Sequence, residues 1–166
     1  MPNMDIEQIQ QKTNYVSVTG IIRKIEDGGN KYLICKRSPN EKVFSNKWCV
    51  PGGKIEQKDY INTPKDTKDH WLDIFEKVLR REILEETNLE IKNIGYVSSL
   101  IFIRPNGFPT IIVSLYADYD SGNVRLSDEE LVDYAWVDLE EAKGYDLIEN
   151  IYEQICEVEK KHMKKD

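Results

Sequence analysis

The chain has 166 residues, of which 40% are hydrophobic and 32% are charged, and its formal net charge is −7. These values are typical of one globular domain that is long enough to bury a sizeable core. No run of 18 apolar residues is present, which excludes an ordinary membrane-spanning helix. The acidic balance, without a dominant basic stripe, argues against general binding of nucleic acid.

The N-terminal segment and the cysteines predict a cytoplasmic protein. Residues 1–11 are polar and lack the basic region and apolar core of a secretory signal. The three cysteines, Cys35, Cys49 and Cys156, are widely spaced and form no CxxC pair. We expect them to be reduced thiols that behave as small buried hydrophobes.

The first part of the chain shows the pattern of a β-hairpin. Residues 15–25 alternate and then become continuously apolar, and residues 31–36 form a second apolar run. The Asp27-Gly28-Gly29-Asn30 segment between them predicts the turn. A polar loop over residues 37–47 then leads to a short strand at residues 48–50.

A long helix is predicted from about Lys68 or Asp69 to Thr87. Its apolar residues recur every three or four positions, which predicts one core-facing side. That side is formed by Leu72, Phe75, Leu79 and Ile83.

The remaining sequence predicts three strands and two further helical segments. The strands are residues 91–103 with a break near Asn93, residues 110–119 after the Pro105-Asn106-Gly107 turn, and residues 134–137; the helical segments are residues 139–142 and 146–163. Strands clustered with two substantial helices indicate an α+β protein or an α/β/α sandwich around a mixed sheet.

Three carboxylates share one side of the long predicted helix. Glu82 and Glu86 are four residues apart and Glu85 is three from Glu82, so all three lie close together, with Arg81 beside them. Like charges at this spacing repel, whereas a hard divalent cation such as Mg²⁺ binds carboxylate oxygens. The alternative is a solvated acidic surface, because Glu-rich helix sides are common.

A Pro51-Gly52-Gly53 segment, preceded by Trp48, lies upstream of this helix. Paired glycines allow the backbone to approach a ligand closely. Together with the Arg81-Glu82-Ile83-Leu84-Glu85-Glu86 string, the segment resembles the Nudix hydrolase family. The family signature is Gly-x5-Glu-x7-Arg-Glu-U-x-Glu-Glu-x-Gly-U, where U is a bulky aliphatic residue.

The resemblance covers about residues 15–158 and implies the α/β/α sandwich around a mixed β-sheet. We therefore expect a single Nudix-like domain over residues 1–166, with a core of about 15–158. A polar N-terminal extension (1–14) and a basic C-terminal tail (159–166) flank that core.

The sequence departs from the family signature at two places. Counting back eight residues from Arg81 reaches Asp73, whereas counting forward six from Gly53 reaches Asp59, and the two positions differ by 14. The signature therefore carries an insertion of about that length, which we place at residues 57–70. Asp73 then replaces the first signature glutamate, either as a metal-site residue or as a plain helix-start carboxylate. Asn88 replaces the last glycine, which left-handed backbone tolerates.

The resemblance implies a divalent metal, Mg²⁺ or Mn²⁺, that binds against a diphosphate. Carried over residue by residue, the metal ligands are Glu82, Glu85, Glu86 and the backbone of Gly53. The catalytic set is Glu82, Glu85, Arg81 and Glu130, in which Arg81 holds a carboxylate in position. Glu130 is chosen because it lies six residues before Trp136, and the general base stays open among Glu82, Glu85 and Glu130.

Substrate contacts are expected from cations and rings around this centre. For the phosphates we expect Arg37, Lys54 and the backbone of Gly52, with Lys47, Arg23 and Arg104 as further candidates. Exposed aromatic rings can stack on a base. The candidates are Phe44, Phe102, Phe108, Trp71 and Tyr60.

The expected function is metal-dependent hydrolysis of a phosphoanhydride bond in a nucleoside diphosphate linked to another group, with a (deoxy)nucleoside triphosphate as the first expectation. A nucleotide-sugar or dinucleotide hydrolase is the alternative substrate class. A non-catalytic domain that senses a nucleotide or metabolite, or a plain interaction domain, is the alternative kind of protein. The expected partner is a small nucleotide or other diphosphate, with no nucleic acid and no membrane. The sequence leaves the oligomeric state open, and the family resemblance makes a homodimer one possibility.

Overall fold

The computed structural model describes residues 6–126 and 129–163. Its strands are β1 (Tyr15–Glu26), β2 (Gly29–Arg37), β3 (Trp48–Cys49), β4 (Gly52–Lys54), β5 (Glu90–Ile103), β6 (Pro109–Ser121) and β7 (Leu131–Val137). Its helices are α1 (Ile6–Lys12), α2 (Ile74–Thr87), α3 (Leu139–Ala142) and α4 (Ile151–Met163), with a 3₁₀ turn at Gln57–Asp59. Within the described ranges, no helix is long and apolar enough to cross a membrane.

One mixed sheet organises these elements. Its strand order is β3-β2-β1-β6-β5, while β4 pairs with β1 and β7 pairs with β2. β1 and β6 run parallel, from Tyr15 opposite Thr110 to Arg23 opposite Asp118. The other strand pairs are antiparallel. The parallel pair joins the two antiparallel hairpins into one sheet.

Helices cover both sides of this sheet. A Cβ atom added to Gly20 in β1 would lie 3.0 Å from Leu79 in α2, so Gly20 faces α2. The neighbouring Thr19 bonds to Ser114, which accepts a hydrogen bond from Gln154 of α4. Successive strand residues point to opposite sides, so α2 and α4 pack on opposite sides of the sheet. The predicted α/β/α sandwich around a mixed sheet is confirmed.

The predicted hairpins form where the turn residues indicated them. β1 and β2 pair up to Glu26 opposite Gly29, so Asp27 and Gly28 form the turn. The predicted break in β5 is also present, because Asn93 has a φ of 52° and the register with β6 shifts between Lys92 and Gly95.

Helix α2 begins later than predicted. It starts at Ile74 rather than near residue 68, and Asp73 before it has a left-handed φ of 53°. The preceding loop is held by its own hydrogen bonds, in which the Asp66 carboxylate accepts the Leu72 N–H at 2.9 Å and the Lys77 ammonium at 2.7 Å. These local bonds replace the helical bonds that residues 68–73 would make.

The late start changes which side chains face the core. Leu79 and Ile83 are fully buried, as predicted. Leu72 is 48% exposed and Phe75 is 37% exposed, so their prediction as core residues is wrong. Val78, which was not among the predicted core residues, is buried. The prediction for Leu72 is wrong because this residue lies before the start of α2.

The helices near the two ends of the chain also differ from those predicted from the sequence. α4 begins at Ile151 rather than residue 146, after Asn150 with a φ of 74°. The short α1 helix in the N-terminal extension was not predicted. In the basic tail, Lys160 and Lys161 belong to the last turn of α4, whereas Lys164 and Lys165 lie outside the described residues.

The three cysteines are free, and two of them are deeply buried. Cys35 in β2 lies opposite Cys49 in β3. Burial raises the pKa of Cys49 to about 12, and burial raises that of Cys35 well above its ordinary 9.0. Cys156 on α4 is half-buried. Because the thiolate is the reactive form, Cys35 and Cys49 should be inert in the folded protein.

We therefore predict that a thiol reagent at pH 8 labels one cysteine of the native protein rapidly and all three in denaturant. Replacing Cys156 by Ser should abolish the rapid phase, which mass spectrometry of the labelled chain would confirm. Rapid native labelling of Cys35 or Cys49 would contradict the described burial.

Candidate active site

The second half of α2 presents its carboxylates toward strand β4. Glu86 is buried, with only 6% of its surface exposed. The Glu82 side chain is 14% exposed and the Glu85 side chain is 58% exposed. Ionised carboxylates are rarely buried without a compensating partner. The burial of Glu82 and Glu86 therefore argues against the alternative that these residues belong to a solvated acidic surface of the helix.

The two glycines of β4 allow the helix to approach the sheet closely. A Cβ atom at Gly53 would lie 2.2 Å from the carboxylate carbon of Glu82. A Cβ atom at Gly52 would lie 2.1 Å from the carbonyl oxygen of Val18 in β1. The Gly52 N–H donates to the Glu86 carboxylate at 3.0 Å. Any other residue at these positions would displace the strand or the carboxylates.

Arg81 contacts three carboxylates at once. Its Nη2 lies 2.8 Å from Glu82 Oε1, and its Nη1 lies 2.9 Å from Glu85 Oε2. Its Nε lies 2.8 Å from Asp59 Oδ1, as an ion pair whose N–H is poorly aligned with the oxygen. The Asp59 side chain is 3% exposed and that of Arg81 is 27% exposed. Shielding from water makes such a pair stronger than an open surface pair.

Asp59, rather than Asp73, is the residue that meets the signature arginine. Asp73 is exposed and precedes α2 with left-handed backbone. Asp59 closes the 3₁₀ turn after β4, where its other oxygen accepts the Glu56 N–H at 2.7 Å. Sequence reasoning placed Asp59 inside the insertion, although the forward count from Gly53 had pointed to it. The contact favours Asp59 as the counterpart of the first signature glutamate, and the insertion at residues 57–70 stays a prediction.

The Glu82 carboxyl lies in a setting that favours its neutral form. Burial has the largest effect and raises the pKa of Glu82 above its usual 4.5, and Glu85 and Asp59 act in the same direction. Arg81 opposes them through its charge and its hydrogen bond. The pKa remains raised because the desolvation outweighs the nearby cation.

Glu130 lies beside the residue that follows β2. Its backbone carbonyl accepts the Ser38 N–H at 2.7 Å, and its side chain is exposed. Both Glu86 and Glu130 are near enough to Cys49 to contribute to the raised pKa of that thiol. Asp128, in the same loop, lies outside the described residues.

The candidate phosphate-binding cations fall into two groups. Arg23, Arg37 and Lys47 have carboxylate partners: Asp118 at 2.8 Å, Glu41 at 2.8 Å and Asp146 at 2.7 Å. Lys54 and Arg104 have no carboxylate within 4.0 Å among residues 6–126 and 129–163; both lie over the ring of Tyr15.

The described residues contain no cluster of three or more His, Cys, Asp or Glu side chains that converge as metal ligands. The carboxylates do not converge because each already has a hydrogen-bond partner. Glu82 and Glu85 turn toward Arg81, and Glu86 turns toward the Gly52 N–H. The donor set is nevertheless entirely carboxylate and backbone oxygen, which suits a hard cation.

The fold and this site define an α/β/α domain in which a carboxylate-bearing helix packs against a diglycine strand. A sequence profile of the family described as NUDIX domain matches residues 15–155. The match covers most of the chain, so the chain belongs to the Nudix hydrolase family, and the resemblance inferred from the signature is confirmed.

Two curated relatives illustrate the range of this similarity. The nucleoside triphosphatase NudI of Klebsiella pneumoniae is 33% identical over 125 residues, which are 70% of this chain and 79% of that protein. The NAD-capped RNA hydrolase NudC of Actinobacillus succinogenes is 45% identical over 62 residues, which are 37% of this chain. The aligned region is 22% of that NudC, so the chain matches only about a fifth of its length.

Solved structures share the fold at low sequence identity. The NUDIX domain of Shewanella oneidensis NrtR, complexed with ADP ribose, has a TM-score of 0.71 at 17% identity and covers 96% of this chain and 94% of its own. A MutT NUDIX hydrolase from Burkholderia pseudomallei has a TM-score of 0.67 at 21% identity. The match covers 88% of this chain and 98% of the Burkholderia chain. These likenesses establish the fold alone.

The position of Asp59 leads to a stability prediction. Asp59→Asn should lower the free energy of unfolding by about 1–3 kcal/mol, because it removes the buried partner of Arg81. Asp73→Asn should change it by less than about 0.5 kcal/mol, since Asn tolerates left-handed backbone at an exposed site. Urea titrations of the two matched variants would measure the difference. Equal losses, or a larger loss for Asp73→Asn, would refute the pairing of Asp59 with Arg81.

Proposed function

We propose that this chain is a metal-dependent pyrophosphohydrolase. It cleaves a phosphoanhydride bond in a nucleoside diphosphate linked to another group. The observation that carries the proposal is the packing of the Glu82 and Glu86 carboxylates against the Gly52-Gly53 strand. Burying two carboxylates against a glycine backbone costs free energy, and a site for a cation and a diphosphate accounts for that arrangement.

The local charge balance supports a divalent cation. Asp59, Glu82 and Glu85 surround the single guanidinium of Arg81, and the buried Glu86 lies on the same helix. The acids therefore outnumber the cation at this place. Mg²⁺ or Mn²⁺ would be held by Glu82, Glu85, Glu86 and the Gly53 backbone carbonyl. The ion would compete with Arg81 for the carboxylate oxygens.

Each protein group has a proposed task in the reaction. A bound divalent ion supplies charge neutralisation of the diphosphate and a more acidic water. Arg81 holds the Glu82 and Glu85 carboxylates, and Asp59 in turn holds Arg81. The proton of the attacking water passes to a carboxylate of the site. Glu82, Glu85 and Glu130 are the candidates; the buried Glu82 and the loop residue Glu130 rank first.

The proposed substrate is a (deoxy)nucleoside triphosphate. The relative named as a nucleoside triphosphatase matches 70% of this chain, whereas the NAD-capped RNA hydrolases match 37%. The longer match includes more of the loops that determine specificity. A nucleotide sugar or a dinucleotide is the second substrate class, and release of phosphate or pyrophosphate from a panel of such compounds would separate them.

A nucleotide sensor without hydrolysis is the second candidate function. The predicted insertion is the feature that favours it, because it alters the family signature. Calorimetry with nucleotides in the presence and absence of Mg²⁺ distinguishes the two functions, since a sensor binds without turnover. The homodimer and the cytoplasmic location stay predictions.

The enzyme proposal predicts the effect of one isosteric change. Glu86→Gln keeps the shape of the buried side chain and removes its charge, so Mg²⁺-dependent hydrolysis should fall roughly a hundredfold or more. Glu76→Gln, in the first turn of the same helix, makes the same chemical change away from the glycine strand and should leave activity within about twofold. Initial rates on the best compound of the panel, with and without EDTA, measure both variants.

Circular dichroism should show that both variants fold. Full Mg²⁺-dependent activity in Glu86→Gln would overturn the assignment of this carboxylate. Hydrolysis that persists undiminished in EDTA would overturn the metal dependence.

A further inference from the structure

Strand β5 forms one edge of the sheet, and in the described part of the chain no strand pairs with its outer side. The strand order ends in β1-β6-β5, and β6 is the strand that pairs with β5. With 14 residues, β5 is longer than any other described strand. Such an edge carries backbone N–H and C=O groups that point away from the sheet and can pair with another extended chain.

The edge of β5 lacks the features that usually prevent such pairing. Natural edge strands are protected by charged side chains, by proline, by bulges or by short length. Residues 93–103 contain no charged residue and no proline. The opposite edge of the sheet differs, because β7 has 7 residues and contains Asp133, and β3 has 2 residues. The unprotected edge is therefore specific to β5.

The second half of β5 is also the regular part of the strand. The irregularities in its register with β6 lie before Ser98. From there the pairing is continuous, from Ser98 opposite Ser114 to Ile103 opposite Pro109. Residues 98–103, named the β5 edge segment below, read Ser-Ser-Leu-Ile-Phe-Ile. Short segments with high β-propensity and neither charge nor proline pair readily with copies of themselves.

Two large apolar side chains of the β5 edge segment are exposed. Ile101 is 65% exposed and Ile103 is 59% exposed. Gln154 of α4 donates to the Ser98 hydroxyl at 3.1 Å, so Ser98 faces α4. Because side chains alternate along a strand, Ile101 and Ile103 lie on the α2 side of the sheet. The segment therefore offers apolar side chains as well as backbone groups to a partner.

The charges around the β5 edge segment favour a second copy of this chain as the partner. Two copies with a net charge of −7 each repel where their acidic surfaces meet, whereas this segment is uncharged. Arg104 follows one end of the segment, and Glu157 lies beside Tyr96 and Val97 near the other end. Antiparallel pairing brings the arginine end of one copy to the glutamate end of the other. The edge is thus complementary to itself in charge.

The geometry of such a pair is closed. Two identical antiparallel strands are related by a two-fold axis, and each occupies the free edge of the other. When the axis is perpendicular to the sheet, residues that point to the same side lie opposite one another. Ile101 and Ile103 of one copy then adjoin the same isoleucines of the other, and cross-strand apolar pairs stabilise a sheet. The two seven-stranded sheets become continuous.

We propose that the β5 edge segment pairs antiparallel with the same segment of a second copy, so that the chain forms a dimer with one continuous sheet. Main-chain hydrogen bonds provide the pairing, and the isoleucines bury apolar surface across it. The interface contains none of the α2 carboxylates. The dimer therefore does not depend on the proposed hydrolysis.

Sedimentation velocity of the full chain between about 1 and 500 μM tests the pairing, because this range spans weak and standard-sized interfaces. The wild type should pass from monomer to dimer. Ile101→Lys should raise the dimer Kd by roughly tenfold or more, because it brings two like charges together near the two-fold axis. Ile25→Lys is the matched control: Ile25 is 68% exposed near the β1–β2 turn, and this variant should dimerise like the wild type.

Hydrogen exchange shows whether the backbone of β5 forms the interface. Alternate amides of residues 98–103 point away from β6. At dimer concentration these amides should exchange roughly tenfold more slowly than at monomer concentration. In Ile101→Lys the difference should disappear, while the amides that point toward β6 should be the same in both samples.

A wild type that stays monomeric at the highest concentration would refute the pairing. A dimer whose outward β5 amides exchange as in the monomer would refute it too, as would equal disruption by Ile25→Lys and Ile101→Lys. Both side chains are exposed, so unchanged Tm values should show that both variants fold. A dimer without hydrolytic activity would count against the proposed function and leave the pairing intact.

Discussion

The close approach of α2 to β4 is the constraint on which the site depends. It requires glycine at positions 52 and 53, because a side chain at either would occupy the space of Glu82 or of the β1 backbone. The approach buries two carboxylates, which is costly unless they gain compensating contacts. Arg81 supplies those contacts for Glu82 and the Gly52 N–H supplies one for Glu86. The helix, the strand and the arginine therefore form one interdependent unit.

Much of this unit could be predicted from the sequence, because its spacing is local. The positions of Glu82, Glu85 and Glu86 follow from helical periodicity, and the hairpins follow from turn residues. The role of Asp59 could not be predicted in the same way. Two counts along the chain gave two aspartates, and only the fold shows which one reaches Arg81. The helix start was also mispredicted, because the left-handed Asp73 and the side-chain bonds of Asp66 are not visible as a hydrophobic pattern.

The distribution of charge explains how an acidic chain can bind an anionic substrate. In the proposed function, the acids at α2 hold a divalent cation, and that cation would reverse the local charge toward the diphosphate. Across β4, Lys54 and Arg104 remain without carboxylate partners within the described residues, beside the Tyr15 ring. β4 thus separates the acidic residues of α2 from a basic and aromatic region.

Direct observation of the side-chain carboxyl carbons by NMR during a Mg²⁺ titration tests the metal site most directly. A site formed by α2 and β4 predicts saturable shifts at Glu82, Glu85 and Glu86, with little change at Glu76 on the same helix. It also predicts that Glu82→Gln weakens these shifts at the two remaining carboxylates. Equal, non-saturating changes at all four glutamates, or none at any, would contradict a metal site at this helix.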